Sequence, residues 1–444
     1  MKRIALLLVN LLVMAAANAQ IRGNSVTVVV TPDHKDWNYR VGEECCFDVS
    51  VRRSGTLIDN VKVDYEAGPE MYPDVKKQNV LLKDGTMKWK GRMTKPGFYR
   101  LKVTAHVDGR DYQAWCTAGY NAEELKPTTV DPKDFDEFWT NTLNEARQTA
   151  LEPTCELWAE KCTEQVKVYL VSFQNIRWGS RTYGVLSVPA KPGRYPALLR
   201  VPGAGIRPYP GDQWMAQKGM ITLEIGIHGI PVNFTQDYYD KLFNGALNCY
   251  WENNLGNRER NYYRRVVVGC VCAVDYIAQL DQWDGKNLCV TGSSQGGFLS
   301  LATAALDKRV SCYGAVHAAM CDYTAALEGK ACGWPHYFYK KQEVRGEKFE
   351  NSKEVETSRY YDGVNFVRSI QCPTWVSFGY NDDVVPPTTA FATYNSVTAP
   401  KEVHPYQQTA HFWYQEQWDE WQEWMKGPTA PPKNRYTRTN QGQS

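Results

Sequence analysis

Leu288-Cys289-Val290-Thr291-Gly292-Ser293-Ser294-Gln295-Gly296-Gly297 is an apolar run that passes into a glycine-flanked serine and then into helix-compatible sequence. The pattern G-x-S-x-G has a steric origin. A nucleophile on a tight strand-to-helix turn has a strained backbone, and side chains at the flanking positions would clash there. The start of the following helix also turns free N–H groups toward an oxyanion forming beside the serine. A glycine-rich turn alone would account for the glycines but not for the apolar strand before them. Ser294 is therefore read as a nucleophile, exposed on a turn at the end of a buried strand.

A serine hydroxyl is a weak nucleophile without a base, and the base needs an orienting acid. In an α/β-hydrolase the acid and then the histidine follow the serine along the chain. Beyond Ser294 lie His317, His336, His404 and His411. Phe378-Gly-Tyr-Asn-Asp382-Asp383 follows the apolar run Trp375 to Phe378, at the strand end where catalytic loops gather. Both aspartates remain open as the acid on this reading. His317 and His336 precede it, which removes them as bases, although His336 is a possible substrate contact. His411 falls in a loop before the last helix and His404 on or beside a strand, so His411 is favoured. Leu199-Arg-Val-Pro-Gly203-Ala204-Gly205 supplies the second glycine-rich loop after a strand. Ala204 N–H, with Gly203 as the alternative, is expected to complete an oxyanion hole with Gln295 N–H.

Working outward, short apolar runs recur at Ala197 to Val201, Met220 to Ile225, Tyr313 to Val316 and Thr374 to Phe378, separated by helical stretches such as Tyr262 to Leu280. Runs apolar on both faces indicate a mostly parallel sheet with helices on both faces. Val232 to Arg260 and Cys321 to Tyr360 are aromatic, polar insertions of the kind that cover active sites. Asp131-Pro132-Lys133-Asp134 reads as a helix start, with Phe135, Phe138, Trp139, Leu143 and Ala146 on one face. A last helix aligns Tyr414, Trp418, Trp421 and Met425. Ahead of all this, Ser25 to Tyr120 reads as all-β. Residues 98–107 alternate with a period of two, and Asp84-Gly85 and Asp108-Gly109 are hairpin signals. The expected organisation is a signal peptide at 1–19, a small immunoglobulin-like sandwich at 20–122, an α/β-hydrolase domain at 123–426 and a disordered tail at 427–444.

With 51 basic and 49 acidic residues and 43% apolar content in 444 residues, the chain is neither disordered nor basic enough for a nucleic-acid partner. Lys2-Arg3, the apolar run Ile4 to Val13 and Ala17-Asn18-Ala19 read as a cleavable secretory signal, with no lipid-bearing cysteine after it. That implies a secreted or periplasmic protein without a stable membrane anchor. Thirteen cysteines are an odd number, so at least one lies outside any intrachain bridge. They read as mostly small buried residues with one or two bridges. Neither they nor His228 and His404 have metal-ligand spacing, so no metal and no cofactor are expected. Tyr209, Trp251, Trp334 and Trp413 are candidates for stacking on sugar rings, although plain packing is the favoured reading of each.

Three stretches resemble family seven of the carbohydrate esterases, the acetyl xylan esterase and cephalosporin C deacetylase group. They are Asp134-Phe-Asp-Glu-Phe-Trp139, Gly292-Ser-Ser-Gln-Gly-Gly297 and Gly379-Tyr-Asn-Asp382-Asp-Val-Val-Pro-Pro-Thr-Thr389 with Ala392-Thr-Tyr-Asn395. The resemblance spans roughly Asp131 to Met425. It implies that Asp382 is the acid, that His411 is the base, and that the substrate is an acetylated carbohydrate. It also implies that a homo-oligomer is possible. The family's Arg-Gly-Gln motif is His228-Gly229-Ile230 here, Phe412 follows the histidine in place of glutamate, and Ala204 replaces an aromatic. The chain therefore looks like a divergent member with an added β domain. Tyr209, His228, Trp334 and Trp413 are the candidate substrate contacts. Feruloyl, methyl and glucuronoyl esters, peptides, or an inactive carbohydrate-binding role are the alternatives.

Overall fold

The computed structural model describes residues 25–426 except 345, 347, 348, 350 and 351; the expected signal segment and tail lie outside the described residues. Nine strands come first: β1 (Val26–Pro32), β2 (Asn38–Tyr39), β3 (Glu44–Arg53), β4 (Thr56–Leu57), β5 (Val61–Pro69), β6 (Val75–Leu82), β7 (Thr86–Arg92), β8 (Gly97–Val107) and β9 (Arg110–Tyr120). β1, β3, β4 and β7 form one sheet; β2, β9, β8, β5 and β6 form another. Side chains from both, including Phe47, Val51, Tyr99 and Leu101, share one buried cluster.

β8 alternates as its sequence dictates: Tyr99, Leu101, Val103, Ala105 and Val107 are buried while Arg100, Lys102, Thr104 and His106 are half-exposed. Asp108 and Gly109, with φ of 51° and 73°, turn it back onto β9. Asp84-Gly85 does not close a hairpin. Only Gly85 has positive φ, and β6 and β7 belong to different sheets. The Asp84 carboxylate instead accepts from the Thr86 N–H and hydroxyl at 3.1 and 2.9 Å, a local cap that lets the chain cross between sheets.

The following polar segment is tied down. Asn395 donates to the Ala122 and Leu125 carbonyls at 3.0 Å each, and the N–H groups of Thr128 and Thr129 donate to Asp322 at 2.9 and 3.0 Å. Helix α1 (Phe135–Arg147) starts later than the Asp131-Pro132 signal suggests. Asp131 pairs with Arg368, and Asp134 pairs with Arg258 at 2.7 Å, so neither carboxylate caps the helix. Its face of Phe135, Phe138, Trp139, Leu143 and Ala146 is buried as expected.

The second half builds a nine-stranded sheet from β10 (Thr154–Leu157), β11 (Val166–Gln174), β12 (Arg181–Pro189), β13 (Tyr195–Arg200), β14 (Ile221–Gly226), β15 (Trp283–Ser293), β16 (Cys312–Val316), β17 (Thr374–Phe378) and β18 (Lys401–Pro405). Its order is β10-β11-β12-β14-β13-β15-β16-β17-β18. β14 to β18 pair in parallel, whereas β10, β11 and β12 pair antiparallel and β12 joins β14 antiparallel. Successive residues of the central strands divide between two cores. Ala197, Leu199, Leu288 and Val290 join α1 together with α2 (Tyr262–Ile277) and α3 (Gln295–Leu306). Leu198, Cys289, Cys312 and Trp375 meet Trp421 and Met425 of the last helix. Burial on both faces is why these strands read as unbroken apolar runs. Cys289 and Cys312 form a disulfide between β15 and β16; the other cysteines are free. No helix among the described residues is long and apolar enough to cross a membrane.

Candidate active site

Loops after β13, β15, β16, β17 and β18 meet at the C-terminal ends of the parallel strands. After β15 the chain turns sharply, with Ser294 at φ 60° and ψ −123°, and α3 begins at the next residue. The glycine pattern follows from close approach. A Cβ on Gly292 would lie 2.3 Å from the Gly296 carbonyl, and one on Gly296 would lie 2.4 Å from the Val201 carbonyl oxygen. The positive φ of a non-glycine residue is strain of order 1–3 kcal/mol, retained where the surroundings over-determine it. Ser294 N–H donates to the Val316 carbonyl at 3.0 Å, which fixes the turn to the neighbouring strand.

His411, in the loop beyond β18, donates through Nδ1 to Asp382 Oδ2 at 2.8 Å. Asp382 is fully buried, and its Oδ1 accepts from the N–H groups of Val384 and Val385 at 2.9 and 2.8 Å. An aspartate that only accepts obliges Nδ1 to carry the proton, leaving His411 Nε2 as the acceptor. Asp383, the other carboxylate that the residue pattern left open, is exposed. The Ser294 hydroxyl has no side-chain partner among the described residues. Such bonds are often long before substrate binds and tighten afterwards. His404 lies on β18, stacked on Trp375 with ring centroids 5.2 Å apart and near Glu402 and Glu420.

His317 is the residue the order rule set aside, and it stands within the cluster. Its ring centroid is 4.3 Å from that of His411, its Nε2 meets Ser293 Oγ at 2.8 Å, and its Nδ1 is 3.7 Å from Asp382 Oδ2. Burial holds this imidazole down to about 3, so it is neutral wherever an imidazole base works. The strand register could have flagged it: Ser293 and Val316 are paired on β15 and β16, which sets His317 directly after the partner of Ser293.

Gln295 N–H and Ala204 N–H have no backbone acceptor among the described residues. The loop carrying Ala204 is held from below. Gln295 Oε1 accepts from the Tyr250 and Tyr263 hydroxyls at 2.7 and 2.8 Å, and Gln295 Nε2 donates to the Pro202 carbonyl at 3.2 Å. His228 Nε2 donates to the Gly205 carbonyl at 3.0 Å, and Nδ1 accepts from the Tyr262 hydroxyl at 2.7 Å. Burial pulls the His228 imidazole down to about 4, and a neutral ring with a carbonyl at Nε2 must carry its proton there. Both nitrogens are thus occupied, so the expected substrate contact through His228 is corrected to a contact with the Ala204 loop.

A cavity of about 270 Å³ opens beside Gly203 and Ser293, lined also by Arg207, Tyr209, Trp413 and Trp418. Trp413 is partly exposed there, whereas Tyr209 is buried. Trp334 packs against Trp251 at 5.3 Å, joining the two insertions. His336 Nε2 donates to the Val384 carbonyl at 2.6 Å, which occupies it within the acid loop. Ligand-capable atoms of His317, Asp382 and His411 lie within 4.8 Å of one another, and His411 and Asp382 are also joined by a direct hydrogen bond.

The family model described as acetyl xylan esterase (AXE1) matches residues 121–427. The chain belongs to the acetyl xylan esterase family. This member of carbohydrate esterase family seven is accordingly a carboxylic-ester hydrolase with an α/β-hydrolase fold. It is 40% identical over 393 residues to acetyl esterase Axe7A of Xylanibacter ruminicola, covering 87% of each chain. That share exceeds what residues 121–427 and the tail supply, so the match reaches into the strands before them. An acetyl xylan esterase from Paenibacillus sp. R4 superposes with a TM-score of 0.60 at 26% identity, covering 69% of this esterase and 98% of that chain. Acetyl xylan esterase 1 from Thermoanaerobacterium sp. JW/SL YS485 shares the fold, with a TM-score of 0.58 at 22% identity over 70% and 98%.

Proposed function

We propose that this esterase is exported and removes acetyl groups from xylan-type polysaccharide or oligosaccharide through Ser294, His411 and Asp382. The observation that carries the reading is the His411 Nδ1–Asp382 hydrogen bond of 2.8 Å, in loops at the same sheet edge as a serine on a strained turn. Ser294 Oγ attacks the acetyl carbonyl while His411 Nε2 takes its proton. Gln295 N–H and Ala204 N–H receive the oxyanion, each donor contributing about 3 kcal/mol to the transition state. The sugar oxygen leaves with the proton from His411. Water then enters by the reverse proton transfers and releases acetate, regenerating the serine.

Residues 20–122 form an immunoglobulin-like sandwich domain in this reading, and 123–426 the hydrolase domain. The shared apolar cluster of the two N-terminal sheets supports the first assignment. Trp413, partly exposed at the cavity beside Gly203, is the preferred sugar contact; Tyr209 and Trp334 line or support the approach. The relatives' names and the signal-like N-terminus support acetylated polysaccharide outside the cytoplasm.

Acetate release from acetylated xylan, acetylated pectin and a feruloylated sugar, measured side by side with chelator present, tests the proposal. Wild type should act best on acetylated xylan, and Ser294→Ala should lose on the order of 10⁶ in turnover. An active Ser294→Ala rejects the nucleophile, and inhibition by the chelator points to a metal.

A further inference from the structure

The loop that carries Asp382 is held by residues from outside the hydrolase fold. Arg100 of β8 donates through Nη2 to the Tyr380 and Asp382 carbonyls at 3.1 and 2.9 Å. Trp115 of β9 donates through Nε1 to the Asn381 carbonyl at 2.7 Å. Three consecutive carbonyls of one loop therefore accept from two side chains of the five-stranded N-terminal sheet.

The donors are themselves fixed. Arg100 Nε donates to Thr117 Oγ1 at 2.8 Å, and its guanidinium lies 3.2 Å from Glu70. Glu70 is buried and accepts from the N–H and hydroxyl of Thr388, at the start of α4 (Pro387–Asn395), which follows the loop. On the other side the Tyr380 hydroxyl donates to Asn38 Oδ1 at 2.9 Å. Asp382 is gripped at both ends: its carbonyl by Arg100, its carboxylate by Val384, Val385 and His411.

We propose that Arg100 and Trp115 are positioning residues for the acid–base pair, so that the N-terminal strands form a working part of the esterase. This rests on the triad reading above. A carboxylate that drifts by an ångström loses its grip on the imidazole it must orient, and misplacement on that scale costs on the order of 10² in rate. The cost should appear in kcat, because neither residue faces the cavity beside Ser293.

The experiment uses the full chain and a soluble acetyl ester, with kcat, KM and the pH profile measured for Arg100→Gln, Arg100→Lys, Trp115→Phe and each in an Asp382→Asn background. Arg100→Gln should lower kcat by roughly 10- to 100-fold with KM within a few-fold, and Arg100→Lys should recover part of it. Trp115→Phe keeps a ring and changes no charge; it should lower kcat by several-fold and move the acid limb to lower pH, because a looser carboxylate stabilises the imidazolium less. With Asp382→Asn in place these losses should shrink, since residues acting through one group are not additive. Loss of thermal stability alone, with kcat and the acid limb unmoved in Trp115→Phe, overturns the proposal. So do losses of the same size in both backgrounds. Should Arg100→Gln fail to fold, Trp115→Phe and Arg100→Lys decide the matter. Full activity in Asp382→Asn itself would instead reject the triad reading, leaving the two failures distinguishable.

Discussion

An imidazole serves as a base only if its proton-bearing nitrogen is held and its other nitrogen is free. His411 meets both conditions, with Nδ1 on Asp382; His404 is stacked on Trp375 and flanked by Glu402 and Glu420. His411→Ala is therefore expected to lose activity on nearly the scale of Ser294→Ala, on the order of 10⁴ or more. His404→Ala should stay within a few-fold, as followed by acetate release; the reverse result reassigns the base. The sharp turn at Ser294 and its flanking glycines were legible because the turn's sterics write themselves into residue types. His317 was not, because chain order constrains who transfers the proton and says nothing about who packs against the ring that does.

At the scale of elements, sequence marks a strand better than it marks a partner. The run Thr374 to Phe378 is a strand as read, and the alternation in β8 is as read. Asp84-Gly85 misled because a turn signal does not say whether the next strand joins the same sheet. β10, with every residue exposed, has no apolar pattern from which to foresee its antiparallel pairing. The contact between β8 and the acid loop was equally hidden, since Arg100 looks like any outward cation on an alternating strand. It carries a pH signature through Glu70, whose carboxyl burial raises from 4.5 to about 7 against the pull of Arg100. A carboxyl that holds its proton more tightly when folded contributes stability at low pH that is lost as pH rises. Native stability should thus fall between about pH 4.5 and pH 7. Glu70→Gln should flatten that decline by on the order of 2–3 kcal/mol between pH 5 and pH 8, read from denaturant unfolding. An unchanged slope would place the ionisation elsewhere.

For the molecule as a whole, the two halves share a core. Phe98 of β8 lies with Ala122, Leu125, Phe378 and Tyr380 in one buried cluster; its ring centroid is 5.0 Å from that of Tyr380 and 5.6 Å from that of Phe391. Each large apolar side chain uncovered costs about 1.5–3 kcal/mol, a heavy fraction of the roughly 5–15 kcal/mol that hold a fold together. The piece 123–426 produced alone should therefore melt well below the full chain and lose most of its activity, by calorimetry and ester hydrolysis. A piece that keeps both would make the strands accessory. Composition and patterning revealed two unlike halves and a linker between them. They could not reveal that the linker is pinned by Asp322 and Asn395, because those partners lie some 200 residues or more along the chain.

The grip on three successive carbonyls has a temporal side. Translation proceeds from the N-terminus, so β8 and β9 leave the ribosome long before residues 379–385 exist. The sheet bearing Arg100 and Trp115 can close first and stand as a finished template onto which the acid loop later settles. Birth order thus permits that assembly order, and a rearranged gene that placed those strands last would oblige the loop to wait for its mould.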